Sequence, residues 1–190
     1  MRRLPIFVLP TVLFPGSLLP LHVFEPRYRQ MAARCLETDR RFGVLFHDPD
    51  ESGPFELREG MIGCEAEIVK FEPLQDGRSL MLTLGVERYR VLDGIESDTL
   101  YTEALVETLH DAAPPADIAD LRRITLARFG EALRRAGRDQ ESLPDIDASR
   151  DISFQIAQNF RIALAWQQRL LGMTAETSRL QEIERALEEG

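Results

Sequence analysis

The hydrophobic pattern of the chain changes character near residue 110. Before that point, short apolar runs are separated by Gly, Pro and Asp turn signals, a pattern typical of strands. Beyond it, apolar residues recur every three or four positions, as they do on one face of a helix. The pattern predicts a β-rich part at residues 1–112 and a helical part at residues 117–190, joined by a linker at residues 110–116.

The first part predicts a series of short strands. Leu80, Leu82 and Leu84 lie at alternate positions along one of them, and Gly85 is expected to break this strand before residues 86–92 continue it. Asp76-Gly77 supplies the positive-φ residues that a tight hairpin turn requires. Six or seven short strands with a single early helix favour a closed or nearly closed antiparallel barrel. The strands are predicted at residues 6–9, 12–14, 18–24, 41–46, 61–71, 80–92 and 101–109.

The early helix is predicted to begin at Pro26. Proline at the first helical position is preorganised for a helix, and the carboxylate of Glu25 just before it suits the positive end of the helix dipole. The helix is expected to end near Asp39. Its apolar face has the spacing of helical neighbours and consists of Tyr28, Met31, Ala32, Cys35 and Leu36.

The second part predicts a helical bundle. A first helix carries an apolar stripe from Ile118 to Ala136, and a polar loop follows at residues 137–150. A second helix, at residues 151–171, is apolar around most of its circumference and is therefore expected to be the buried centre of the bundle. A last helix, which Thr174 can cap, has Leu180, Ile183 and Leu187 on its apolar face.

Charge and residue types exclude several classes of function. The formal net charge of −9 argues against a nucleic-acid binder and against adsorption on an anionic membrane. Lys70 is the only lysine, so the chain has no phosphate-binding loop of the Gly-Lys-Ser/Thr type. The Arg residues at positions 122, 123, 128, 134, 135 and 138 are interpreted as a solvated helix face rather than an RNA groove, because on a helix they flank the apolar stripe.

Metal and cysteine chemistry are also not expected. His22, His47 and His110 stand alone, without companions at metal-ligand spacing, and the acidic group of Asp48, Asp50 and Glu51 is interpreted as a solvated loop rather than a cation site. No metal or other cofactor is therefore predicted. Cys35 and Cys64 are interpreted as buried free thiols in a reducing cytoplasm, with a single disulfide as the alternative.

The uncharged stretch at residues 4–24 resembles a signal peptide at first sight. Prolines at positions 5, 10, 15 and 20 would each break a helix through it, and no small-residue cleavage site follows. We therefore expect a cytoplasmic protein without a membrane segment.

Apolar residues lie on both sides of the Pro15-Gly16 turn, although turns are normally exposed to solvent. Core packing is the simpler interpretation, and a peptide-binding surface is the functional alternative. The candidate peptide-binding residues are Leu13, Phe14, Leu18 and Leu19.

Over essentially its full length, the chain resembles the N-terminal domain of the ATP-dependent Lon protease. The most specific segment is PLHVFEPRYR at residues 20–29, after VLFPG at 12–16, and the similarity continues through residues 63–92 to Gln168-Arg169-Leu170-Leu171 and Arg179-Leu180. The resemblance implies an α+β fold, in which an antiparallel PUA-like β-barrel with one inserted helix is followed by an α-helical bundle. The family motif includes His22, Glu25, Pro26, Arg27 and Tyr28, which we interpret as structural.

The same resemblance predicts a module that binds protein without catalysis. In the complete proteases an ATPase domain and a Ser-Lys protease domain follow this one, and neither activity is expected from these 190 residues. The predicted partner is unfolded polypeptide or another protein, including a protease that acts in trans, for which the chain would be a scaffold or adaptor. A small enzyme with an unrecognised site between barrel and helices, and RNA binding by analogy of fold, are the alternatives.

Overall fold

A computed structural model describes residues 1–137, 144–159 and 163–189. These residues divide into two compact units, Met1–Leu109 and His110–Gly190. The first unit is a six-stranded sheet with helices inserted between its strands. Its elements in chain order are β1 Arg2–Leu9, β2 Leu18–Val23, α1 Pro26–Glu37, β3 Arg41–Phe46, α2 Pro49–Ser52, β4 Ile62–Pro73, β5 Ser79–Ile95 and β6 Thr102–Thr108.

The strands lie in the order β2-β5-β4-β3-β1-β6, and β5 also pairs with β6. The sheet is mixed, because β1 and β3 are parallel, from Ile6 opposite Gly43 to Leu9 opposite Phe46. The prediction of an antiparallel sheet is wrong for this pair. Parallel neighbours need a crossover connection, and the segment that contains β2 and α1 provides it. The short helix α2 was not predicted either; Asp48 caps it by accepting a hydrogen bond from the backbone N–H of Asp50.

Two differences from the predicted strands meet at Gly85. Residues 12–14 form no strand, and β5 runs through Gly85 without a break. The backbone N–H of Gly85 donates to the Ser17 carbonyl, and the Gly16 N–H donates to the Gly85 carbonyl, both at 2.8 Å. A Cβ at position 85 would lie only 3.0 Å from the Phe14 carbonyl carbon. Glycine is therefore needed at this position for close approach of the turn, not to end the strand.

Helix α1 packs its predicted apolar face onto the sheet. Tyr28 stacks on Phe7 with 3.8 Å between ring centroids, and Met31 and Cys35 are fully enclosed in the same core. The helix begins at Pro26 as predicted, but the Glu25 side chain makes no capping hydrogen bond. The Glu25 carbonyl accepts the first helical hydrogen bonds instead, from the N–H groups of residues 28 and 29.

The second unit contains α3 Ile118–Arg135, α4 Ser153–Ala157, α5 Leu164–Gly172 and α6 Glu176–Glu189. The prediction of one helix over residues 151–171 is wrong, because Ala163 has an extended backbone with ψ of 135° just before α5. Two residues of the predicted patterns, Arg138 and Phe160, lie outside the described residues. Together the two units make the fold mixed α+β, as predicted.

Arg179 on α6 is fully buried in the second unit. Its guanidinium donates to both carboxylate oxygens of Asp111, at 3.0 and 2.7 Å, and to the Asp151 carboxylate at 2.5 Å. It also donates to the Ser153 hydroxyl at 2.8 Å and to the Met173 carbonyl at 2.6 Å. Asp111 and Ser153 are thereby tied to the start of the last helix.

Both cysteines are free and buried, as predicted. Burial raises the pKa of each thiol, Cys35 and Cys64, to about 12. Within the described residues no helix combines the length and the apolarity needed to cross a bilayer.

Candidate functional site

The structure separates the four candidate peptide-binding residues into two pairs. Leu13 and Phe14 are only 3% and 2% exposed, so they belong to the core and cannot contact a ligand directly. Leu18 is 60% exposed, and Leu19 beside it is half-buried. The turn therefore exposes Leu18, while Leu13 and Phe14 support it from beneath, which corrects the expectation that all four could form one surface.

Leu18 is part of a larger apolar surface on β2 and β5. Leu18 lies opposite Leu84, Pro20 opposite Leu82, and His22 opposite Leu80. Residues directly opposite each other in a sheet project from the same side. On the other side of β5, Ser79, Met81 and Thr83 are buried. We call the resulting outward surface the leucine face; it consists of Leu18, Pro20, His22, Leu80, Leu82 and Leu84.

Apolar and charged residues extend the leucine face at its margins. Phe24 is 57% exposed, with its ring centroid 5.7 Å from that of His22, and Val69 is 45% exposed at the irregularity in β4. The next strand adds a charged border, since Glu67, Lys70 and Glu72 lie opposite the three leucines of β5. An exposed apolar patch with a polar rim is typical of a surface that contacts another protein.

The free edge of β2 is poorly suited to receive an added strand. The Gly85–Ser17 hydrogen bond places residues 17, 19 and 21 in the hydrogen-bonded positions of the β2–β5 pair, because these positions alternate in an antiparallel ladder. The backbone groups of Leu18, Pro20 and His22 consequently point to the open edge, where Pro20 has no N–H to donate. The side chains of the leucine face, rather than the strand edge, are therefore the candidate contact surface.

The family-motif residues lie at the junction of β2 and α1. Tyr28 is buried and its hydroxyl donates to the Val8 carbonyl at 3.3 Å; burial raises the pKa of this phenol. Arg27 pairs with Glu25 at 2.8 Å and lies 4.6 Å over the Tyr28 ring. His22 differs from these, because it is exposed on the leucine face. The Tyr28 contacts join α1 to β1, whereas the contacts of Glu25 and Arg27 lie within the first turn of the helix.

Sequence reasoning missed Phe24, Val69 and the three leucines of β5 as surface residues. The alternation of Leu80, Leu82 and Leu84 was visible, but an alternating strand does not reveal which of its faces is buried. The neighbouring Ser79 and Thr83 are no more polar than many core residues of a small sheet. Which face of β5 points outward is known only once its pairing with β2 is known.

Comparison with known proteins identifies the type of domain. The family model described as "ATP-dependent protease La (LON) substrate-binding domain" matches residues 3–189. A LON peptidase N-terminal domain and RING finger protein of Schizosaccharomyces pombe is 32% identical over 120 residues, which are 57% of this chain and 24% of that protein. Lon protease of Xanthomonas oryzae is 24% identical over 176 residues, which are 90% of this chain and 21% of that protein. The chain thus spans about a quarter or less of the length of these relatives.

Solved structures have the same fold. A Lon N-terminal domain protein from Xanthomonas campestris superimposes with a TM-score of 0.70 at 20% identity and covers 97% of this chain and 98% of that one. The N-terminal domain of Lon protease from the Mycobacterium avium complex gives a TM-score of 0.76 at 15% identity, with 98% of both chains covered. The resemblance found in the sequence is confirmed by these matches.

Proposed function

We propose that this chain, which belongs to the Lon substrate-binding-domain family, is a non-enzymatic module that binds unfolded polypeptide through the leucine face. The observation that carries the proposal is the exposure of apolar side chains on adjacent strands, led by Leu18 at 60% and Leu80 at 44%. An unfolded polypeptide exposes apolar side chains along its length, and these can remove the leucine face from water without any catalytic group.

The proposal includes the finer features of the fold. The pairing of β5 with both β4 and β6 supports a closed barrel of the PUA-like type, and the helices of the second unit support a bundle. We take the functional domains to be residues 1–112 and 117–190. The free thiols of Cys35 and Cys64 support a reducing compartment, and we assign the protein to the cytoplasm.

Within this proposal, the bound polypeptide is passed to a protease carried by another chain. Support comes from the family model, which is that of a Lon substrate-binding domain, and from the Xanthomonas oryzae Lon protease, of which the match covers 21%. The chain then acts as an adaptor, and its contribution to proteolysis is affinity for the polypeptide. Adding the purified chain to such a protease would accelerate degradation of a weakly bound polypeptide, and a Leu18→Ser variant would not.

Binding itself is tested by fluorescence anisotropy with a labelled, reduced and carboxymethylated polypeptide. Complete burial of a leucine contributes about 1.5–3 kcal/mol. Because Leu18 is 60% exposed, its further burial is worth about 0.9–1.8 kcal/mol. Leu18→Ser is therefore expected to weaken binding about five- to twentyfold, and Leu80→Ser somewhat less.

Leu100→Ser is the matched control, because Leu100 is 63% exposed but lies outside the leucine face. It removes the same apolar side chain at nearly the same exposure and should leave the affinity unchanged. Equal losses in the Leu18 and Leu100 variants, or no binding by the wild-type chain at high micromolar concentration, would reject the leucine face as the binding surface. Phe14→Ser is unsuitable as a probe, since it would disrupt the core.

A further inference from the structure

The first unit also has a concave surface between α1 and the β4–β5 hairpin, away from the leucine face. This hairpin groove has a volume of about 790 Å³, within the range of pockets that hold ligands. Ala33 and Leu36 of α1 and Phe71 and Leu74 of the hairpin give it apolar walls. Between Arg29 and Glu37 the groove follows α1 for about 12 Å at 1.5 Å per residue, which suits about four residues of extended chain.

Arg29 bridges the groove near its Pro26 end. The side chain reaches from α1 to the hairpin turn, where its Cζ would lie 3.1 Å from a Cβ at Gly77. Gly77 has a φ of 80° and leaves room for the guanidinium. The opposite end of the groove carries Glu37.

Arg29 is exposed, so its charge is accessible to a ligand. Among the described residues no carboxylate pairs with its guanidinium, whereas the neighbouring Arg78 is held by Asp76 at 2.5 Å. A guanidinium offers a fork of donors that matches both oxygens of a carboxylate. A ligand that fills the apolar walls and carries one carboxylate at the Arg29 end would complement this charge.

We propose that the hairpin groove binds the C-terminal end of a polypeptide, with apolar side chains against α1 and the terminal carboxylate on Arg29. A chain terminus fits better than an acidic side chain, because Arg29 spans the groove and a chain that continued beyond it would have to cross the Arg29 side chain. Glu37 at the other end disfavours further acidic residues upstream. The inference shares with the proposed function only that the ligand is polypeptide; its surface and its chemistry are different.

Three labelled peptides with the same apolar segment, Leu-Ala-Val-Leu, test the proposal on the wild-type chain. The first has a free C-terminal carboxylate, the second a C-terminal amide, and the third an amide with a glutamate inside the segment. Anisotropy should show about two- to fivefold tighter binding of the first than of the second, as expected for an ion pair with an exposed arginine. The third should bind like the second. Equal binding of the first two peptides, no binding of the first at millimolar concentration, or equal binding of the first and third overturns the proposal.

Variants then locate the effect. Arg29→Gln should remove the preference for the free carboxylate, and Arg29→Lys should restore part of it. Arg34→Gln is the matched control, because Arg34 is an exposed cation of the same helix that does not line the groove, and it should keep the preference. Leu18→Ser should also keep it, so loss of binding at the leucine face and loss of binding in the groove are distinguishable. A preference that survives Arg29→Gln in a folded variant rejects Arg29 as the carboxylate ligand.

Discussion

Replacing Arg179 by methionine would test what holds the helical unit together. Methionine keeps much of the length and apolar volume of the arginine but has no charge and no donor. In the native protein all five guanidinium N–H groups have acceptors, supplied by two carboxylates, one hydroxyl and one carbonyl. The guanidinium carbon also lies 4.4 Å over the Phe154 ring. The substitution removes every one of these interactions.

The expected loss follows from the burial of the partners. Removing one member of a buried ion pair typically costs about 3–5 kcal/mol, because the remaining charge has no partner. Here Arg179 is fully buried, but the Asp111 and Asp151 side chains are 33% and 28% exposed. Water can therefore reach both carboxylates in the variant, so we expect the low end of that range, about 3 kcal/mol. Arg179→Lys keeps the charge but has only three donors, and its loss should be about 2 kcal/mol.

Tryptophan fluorescence during urea unfolding is the appropriate assay. Trp166 is the only tryptophan and lies on α5, so its signal reports the helical unit. Arg169→Met provides the control, since Arg169 is an exposed arginine of α5, in the same helical unit. Its free energy of unfolding should stay within about 0.5 kcal/mol of the wild-type value. The effect of Arg179→Met should also change little with salt, because a buried pair is weakly screened.

A double variant tests the pairing directly. Once Arg179 is absent, Asp111→Asn removes little more, so the two losses should be strongly non-additive. A loss below about 1 kcal/mol for Arg179→Met, or additive losses in the double variant, would refute the conclusion that this network stabilises the helical unit.

Two further predictions concern the first unit. Gly85→Ala should lower the free energy of unfolding by about 1–3 kcal/mol, because the new Cβ collides with the Phe14 carbonyl. Gly94→Ala is the control, since a Cβ there meets only Leu57, at 3.4 Å. Equal losses of stability in the two variants would contradict the close approach of the turn to Gly85. Cys35 and Cys64, whose pKa values burial raises to about 12, should not react with a thiol-specific disulfide reagent at pH 8 until urea unfolds the chain. Rapid labelling of the native protein would contradict their burial.

Local chemistry made several elements predictable. Strand β3 lies at the predicted residues, and α1 begins at Pro26, whose ring fixes the first helical φ. The hairpin turn forms at Asp76-Gly77, where Gly77 has positive φ and the Arg78 N–H donates to the Asp76 carboxylate at 3.1 Å. Each of these features depends on neighbours within a few residues, so the local sequence contains the necessary information.

Features decided by distant contacts could not be predicted in this way. The parallel pairing of β1 with β3 depends on a crossover of some thirty residues, and Gly85 is explained only by the turn at Phe14 that lies against it. The region at residues 151–171 is apolar enough for one buried helix, yet the chain is extended at Ala163. The hairpin groove joins α1 to a turn nearly fifty residues later, so Arg29 had no local signal at all.

Two departures from the usual hydrophobic pattern have opposite meanings for function. Arg179 is a charge inside the protein, and the protein itself satisfies all its donors, so the residue needs no ligand and its role is stability. The leucine face is apolar surface outside the protein, and no described residue covers Leu18, Leu80 or Phe24. In the function we propose, another polypeptide removes these side chains from water. The distinction between a satisfied buried charge and an uncovered apolar face is the physical reason why we propose binding on β2 and β5 and not in the helical unit.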